Sequence, residues 1–292
     1  MTRSPADPAR STRIPAPLLA LAAIVSVQLG AAIAKTRFEE VGSVGAATLR
    51  LVIGAAVLLA VVRPRVRHWQ RPQWLGAVGL GLALGGMNVF IYLAFATIPI
   101  GVAVTIEFLG PLALSLVHTR RWRDALWAAL ALLGVVLLGV GPSAVTELGG
   151  VAAAVAAAGC WAGYIVMNRH VGSIIPGVDG LAVSMLVAMA VSLPFGLRTA
   201  VDGIVADPTL LVVFGAVAVL SSVLPYALEM LALRRMPTRV FGVLQSLGPA
   251  IAALAGLVVL GEALSPVEVV ALACVTAASV GVTVYSARRK SA

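Results

Sequence analysis

The sequence predicts an all-α membrane protein of ten transmembrane helices, arranged as two inverted five-helix repeats. Three observations predict it. Hydrophobic residues make up 60% of the 292 and charged residues only 11%, a composition suited to a bilayer rather than to water. Ten apolar segments are long enough to cross one, near 16–35, 42–62, 74–97, 99–118, 124–141, 148–168, 179–198, 209–233, 238–260 and 265–286. The stretch from Leu93 to Leu116 also reappears, without a gap, 138 residues later as Leu231 to Leu254.

In that repeat Leu93-Ala94, Pro99, Val102, Leu109-Gly110-Pro111 and Leu116 line up with Leu231-Ala232, Pro237, Val240, Leu247-Gly248-Pro249 and Leu254. The shared Gly-Pro sits mid-way through an apolar run both times. Ten spans divide into five and five, and an odd number makes the second half enter the membrane from the opposite face. The expected organisation is a tail at 1–15, a first repeat at 16–141, a second at 148–286 and a tail at 287–292. Duplicated, interrupted membrane helices are the pattern of a secondary transporter, and the interruptions mark its expected binding site.

No stretch between spans exceeds roughly a dozen residues, too short for a soluble domain. No P-loop sequence is present, so transport would run on a gradient rather than on a nucleotide. The net charge of +9 suggests nucleic acid until its distribution is counted. Seventeen Lys and Arg, from Arg3 to Lys290, fall on one side of the predicted spans, and Lys35, Arg37 and Arg198 on the other. The positive-inside rule then puts both termini in the cytoplasm, and the basic balance is topology, not a nucleic-acid footprint. Ala32-Ile33-Ala34 loosely resembles a signal-peptidase site, but the apolar stretch before it is long for a signal peptide and cleavage would remove a helix of the first repeat. Cys160 and Cys274 fall inside spans as small packing residues. His68, His118 and His170 sit at helix ends, so neither a metal nor another cofactor is expected.

The chemistry must come from polar groups within the hydrocarbon, where an ionisable side chain costs about 2.5–3.5 kcal/mol on insertion scales. Glu107 is ninth in its span, with Ala103, Gly110 and Pro111 on the same helical face, a small-residue face that packs against other helices. Pro111 removes the helical partner of the residue 107 carbonyl, and Pro249 does the same for Gln245, which aligns with Glu107. Each repeat thus offers a polar side chain and a freed carbonyl at one depth; the alternative is a kinked packing helix with a neutral, hydrogen-bonded Glu. Arg50, also ninth in its span, is flanked by Ala46, Ala47 and Gly54. It either holds a carboxylate in two-point fashion or forms an internal salt bridge, with Glu107 as one partner. Glu229 is a second proton-coupling candidate or a boundary carboxylate paired with Arg234 or Arg235. Lys35 ends its span and either reaches the site or snorkels to the surface. Asn88 and Gln28 are further hydrogen-bonding groups or helix–helix contacts.

These residues resemble a known family. Gly30-Ala31 to Lys35, Ala47-Thr48-Leu49-Arg50-Leu51, Leu84-Gly85-Gly86-Met87-Asn88, Glu107-Phe108-Leu109-Gly110-Pro111-Leu112-Ala113, Leu224-Pro225-Tyr226-Ala227-Leu228-Glu229-Met230 and Leu260-Gly261-Glu262 resemble the EamA-type branch of the drug/metabolite transporter superfamily. Within it they are similar to bacterial inner-membrane exporters of threonine and homoserine. The resemblance implies export of small amino acids driven by proton entry, with Tyr226 among the substrate-contacting residues. A zwitterion needs an anion for its ammonium and a cation for its carboxylate, and Glu107 and Arg50 supply both. In a low-dielectric cavity, proton and ammonium compete for one carboxylate, which is the logic of antiport, with Gln245 as the neutral counterpart. The expected partners are the amino acid, protons and lipid, and a homodimer is compatible with the sequence. A drug exporter of the same fold would want an aromatic cage, yet aromatics are only 5% of the chain. An intramembrane enzyme is disfavoured by the absence of a nucleophile–base set in the spans, and a non-transporting scaffold would require that Glu107 and Arg50 can be neutralised together with no loss of phenotype.

Overall fold

The computed structural model describes residues 15–117, 122–140 and 147–289. Among them every regular element is a helix. The first part runs α1 (Ala16–Lys35), a short α2 (Phe38–Val41), α3 (Ser43–Val62), α4 (Arg71–Phe95), α5 (Ile100–Glu107), α6 (Leu109–Val117) and α7 (Trp122–Val140). The second runs α8 (Leu148–Ile174), α9 (Asp179–Ala206), α10 (Leu210–Ala218), α11 (Leu224–Leu233), α12 (Thr238–Gln245), α13 (Gly248–Ala255) and α14 (Pro266–Arg289). Two π turns join pieces of the same rod, Val219–Val223 between α10 and α11 and Gly256–Leu260 after α13. Among the described residues seven helical stretches are long and apolar enough to cross a membrane, with shorter apolar helices at Ile100–Leu114 and Pro266–Gly281. A helix of 20 residues is about 30 Å long, the thickness of a hydrocarbon core.

The helix ends follow local chemistry. Gln70 and Gln73 cap each other's backbone at the start of α4, and Ser265 and Glu268 do the same for α14, each satisfying amide groups that a first turn leaves open. Asp207 accepts from the hydroxyl and the amide of Thr209, which holds its carboxyl below the usual range and turns the chain into α10. Both Gly-Pro helices are broken: α5 gives way to α6 at Phe108, and α12 to α13 at Ser246-Leu247. Proline cannot donate to the ladder and its ring crowds the preceding turn. Shifting by 138 residues carries the bounds of α5–α6 onto those of α12–α13 to within one residue, break included.

The surface pattern is inverted relative to a protein in water. Val61, Leu148, Val205 and Val212 are each about three-quarters exposed, while Ser26, Thr48, Asn88, Thr105, Ser184 and Glu107 are buried. In lipid the apolar side faces out and polar groups turn inward to find partners. The Ser184 hydroxyl reaches the Ala77 carbonyl of α4 at 2.9 Å. The Thr48 hydroxyl lies 3.2 Å from the Ser192 carbonyl of α9. The closest helix pairs are α4 with α8, α9 with both α3 and α4, α7 with α14, and α1 with α11.

Three local features depart from the expectations. α8 and α9 run well past residues 168 and 198, so Arg169 and Arg198 lie on helices; Arg198 is exposed and faces Asp202. α2 was not foreseen, and neither π turn has a signature in the hydrophobic pattern. His118 lies outside the described residues.

Close helix contact gives the first prediction. A Cβ added at Gly110 would collide with the Ala158 carbonyl of α8. Gly110→Ala should therefore cost about 1–3 kcal/mol from overpacking, seen as a lower thermal midpoint in detergent. Gly149→Ala, with nothing within 4 Å, should leave the midpoint unchanged.

Candidate functional site

Arg50 stands halfway along α3, on a face whose neighbours Ala46 and Ala47 are fully buried. One of its guanidinium nitrogens donates to the Ser221 carbonyl at 3.3 Å, and the group lies 5.8 Å from the centre of the Tyr92 ring. Its Nε is buried with no hydrogen-bond partner among the described residues. Ser221 belongs to the π turn at Val219–Val223. A π turn widens the coil and offsets carbonyls from the regular ladder. Two of these carbonyls are taken by side chains of other helices, Ser221 by Arg50 and Leu220 by the Ser26 hydroxyl at 2.6 Å.

Glu107 is the last residue of α5, at the break, and only 8% exposed. Arg50 is the charged group whose field reaches it, and Cys160 of α8 lies within reach of the Glu107 charge. The two opposite charges do not pair. Among the described residues the ion pairs are Lys35–Glu262, Arg37–Glu40 and Arg198–Asp202, and nothing donates to the Glu107 carboxylate. Asn88 is buried and donates to the Leu84 carbonyl of its own helix at 2.8 Å. Tyr226 lies in α11, and its side chain is outside the described residues.

Gln245 is engaged elsewhere than at Glu107. Its amide donates to Glu229 at 2.9 Å, joining α12 to α11. Glu229 forms no ion pair with Arg234 or Arg235 among the described residues, and Arg234 instead points to the Met230 sulfur at 3.7 Å. Glu229 lines a cavity of about 660 Å³ among α3, α8, α9 and α11. That cavity begins at Val61, Val62, Leu233 and Arg234, the arginine-rich end of the bundle, and rises to Gly54, Met185 and Ser222. Its deep end stops one helical turn short of Arg50.

Lys35 is held at the opposite end of α3 from the cavity mouth. Its ammonium lies 2.6 Å from Glu262 and 3.0 Å from the Ile98 carbonyl. The second Glu262 oxygen accepts the Ile100 amide at 2.9 Å, capping the start of α5. One ion pair thus ties α1, the α4–α5 junction and the segment after the second π turn. Tyr92, Ser221 and Ser222 were missed from the sequence. The serine pair inside an otherwise apolar span, 209–233, was the available signal for the last two.

Among the described residues no group of His, Cys, Asp and Glu is arranged to hold a metal. The EamA-like transporter family pattern matches residues 148–284. Over 268 residues, 91% of this chain and 90% of the relative, the sequence is 42% identical to the threonine/homoserine exporter RhtA of Salmonella typhimurium strain LT2. It is 40% identical over the same span to RhtA of Escherichia coli K12.

The chain belongs to the EamA-like transporter family. A crystal structure with 24% identity superposes with a TM-score of 0.58, covering 96% of this chain and 100% of that one, which shows a shared fold. The family resemblance read from the sequence motifs therefore stands, and the protein is a membrane transporter rather than an enzyme.

The Lys35–Glu262 pair is half-sheltered, at 18% and 16% side-chain exposure, so its worth is measurable. A double-mutant cycle with Lys35→Met and Glu262→Gln, read by unfolding in detergent, should return a coupling of roughly 0.5–3 kcal/mol. Additive effects would show the two ends of the pair to be energetically independent.

Proposed function

We propose that this transporter is a secondary active exporter of small amino acids, threonine and homoserine among them, working by proton antiport around a mid-membrane site. The observation that carries this reading is a half-buried guanidinium, Arg50, and a buried carboxyl, Glu107, that form no ion pair with each other among the described residues. Each is free for one end of a zwitterion: the guanidinium for the carboxylate, the carboxylate for the ammonium. The relatives' names, threonine/homoserine exporters, agree with a ligand of that shape.

The reading also rests on a two-fold plan of ten spans. The 138-residue shift relates α1 to α8, α3 to α9, α4 to α10–α11, and α5–α6 to α12–α13. Packing partners follow the same relation, since α4–α8 is the counterpart of α11–α1 and α3 packs on its own counterpart α9. Two halves related in this way alternate access by rocking about a shared centre. The cavity open at the arginine-rich end, with the Lys35–Glu262 tie at the other, corresponds to the state that loads from the cytoplasm. The substrate ammonium displaces a proton from Glu107 to the cytoplasm and is carried across. After release outside, the vacated carboxylate takes a proton there, and the neutral carboxyl returns.

Labelled threonine and homoserine in preloaded proteoliposomes test this. Wild type should show efflux accelerated by an inward proton gradient, and Glu107→Gln should lose the acceleration. Arg50→Lys should weaken apparent affinity by roughly tenfold to a hundredfold, the loss of a charge-assisted hydrogen bond. Gradient-driven efflux surviving in Glu107→Gln would move coupling to Glu229, which lines the cavity. No wild-type efflux of either amino acid would contradict the substrate reading and favour another metabolite on the same fold.

A further inference from the structure

Three residues of the cavity lining stand nearest Arg50 along the chain or beside it in the bundle. On α3, Gly54 stands one turn from Arg50 on the same face. Facing it are Ser222 of the π turn and Met185 of α9, and all three residues line the deep end of the cavity. A Cβ built on Gly54 would lie 3.6 Å from the Ser222 hydroxyl and 3.9 Å from the Met185 methyl carbon. One carbon is therefore accommodated in ordinary contact, and a branched or longer side chain is not. Beyond this ring the Ser221 carbonyl already holds the Arg50 guanidinium, so the ring and the charge are adjacent layers.

Ser222 adds a chemical feature. The residue is 5% exposed, lines the cavity, and its hydroxyl has no hydrogen-bond partner among the described residues. It faces space that a ligand can enter, so its hydrogen-bonding capacity is available to a ligand's side chain. Met185 sits in a small apolar cluster with Leu51, Ala55, Leu84 and Ala188, and its unbranched thioether gives the ring one adaptable side. Across the ring from Met185 is bare backbone.

We propose that Gly54, Ser222 and Met185 form the selectivity neck between the cytoplasmic cavity and Arg50, passing amino acids with side chains up to threonine size and bonding a side-chain hydroxyl through Ser222. The proposal rests on the amino-acid export reading for its substrate and on the cavity geometry for its place. A glycine here sets the bore. A hydroxyl at the rim favours a hydroxylated side chain over an apolar one of the same shape, because the apolar one leaves Ser222 unpartnered.

Transport in proteoliposomes reads the neck through a size and polarity series of alanine, threonine, valine and leucine. Wild type should carry alanine, threonine and valine and exclude leucine, and Gly54→Leu should abolish the flux of all three while the purified protein keeps its elution profile and thermal midpoint. Gly54→Ala should retain alanine flux and lower that of threonine by roughly 10–200-fold, the range one methylene imposes in a tight pocket. Ser222→Ala should erase the preference of threonine over its isostere valine and leave alanine flux unchanged. Threonine flux at the wild-type rate in Gly54→Leu would overturn the proposal.

A second measurement does not depend on the substrate. With Cys160 and Cys274 replaced by alanine, Arg50→Cys is treated with a methyl-sized and a benzyl-sized thiol reagent. The small reagent should react faster than the large one, and adding Gly54→Leu should slow the small one by an order of magnitude. Equal rates with and without Gly54→Leu would remove the neck from the path even if threonine transport holds. Blocked labelling without wild-type threonine flux would keep the neck and reject the substrate.

Discussion

A cation halfway along a helix long enough to cross a bilayer must be surrounded by protein that gives it acceptors, and Arg50 imposes that demand on its neighbours. Three features answer it. The π turn between α10 and α11 presents the Ser221 carbonyl sideways. Tyr92 offers the face of its ring, an arrangement favourable to a guanidinium. Glu107, at the break before Pro111, holds a carboxyl within reach of the Arg50 field. None of these saturates Arg50, since Nε has no partner among the described residues. Full pairing of a buried charge would lock it, whereas a binding site needs capacity left over for its ligand.

The same economy of polar groups explains the two ends of the bundle. Where the Lys35–Glu262 pair sits, one carboxylate serves an ammonium and a backbone amide together, so three chain segments are fixed by a single residue. At the other end Arg234 and Glu229 stay apart, and an open cavity lies between the helices that carry them and α3. Closure at one end and space at the other follow from which charges find partners.

The all-helical character and seven long apolar spans were legible in the sequence because their signal is length and apolarity, which a bilayer demands without reference to tertiary contacts. The Gly-Pro breaks were legible too, since proline acts locally on its own helix. Partner choice was not. Gln245 aligns with Glu107 in the repeat, yet its amide bonds Glu229, because helix rotation decides which side chain meets which and the repeat carries no information on rotation. Lys35 was weighed between the site and the surface, while its partner Glu262 stands 227 positions away. Ser221 and Ser222 depend on a π turn, whose extra residue shifts the register of a face and leaves no trace in hydrophobic periodicity. Glycine at 54 reads as a packing residue until Ser222 and Met185 are placed opposite it.

The central claim is that Arg50 recognises the carboxylate of a zwitterion whose ammonium belongs to Glu107. Its most direct test is binding of threonine, threoninamide and N-acetylthreonine to the purified protein in detergent, for wild type and for Arg50→Met. Wild type should bind threonine and reject both analogues, and Arg50→Met should bind threonine no better than threoninamide while still rejecting N-acetylthreonine. An Arg50→Met protein that still distinguishes threonine from its amide as sharply as wild type would place carboxylate recognition elsewhere and contradict the account.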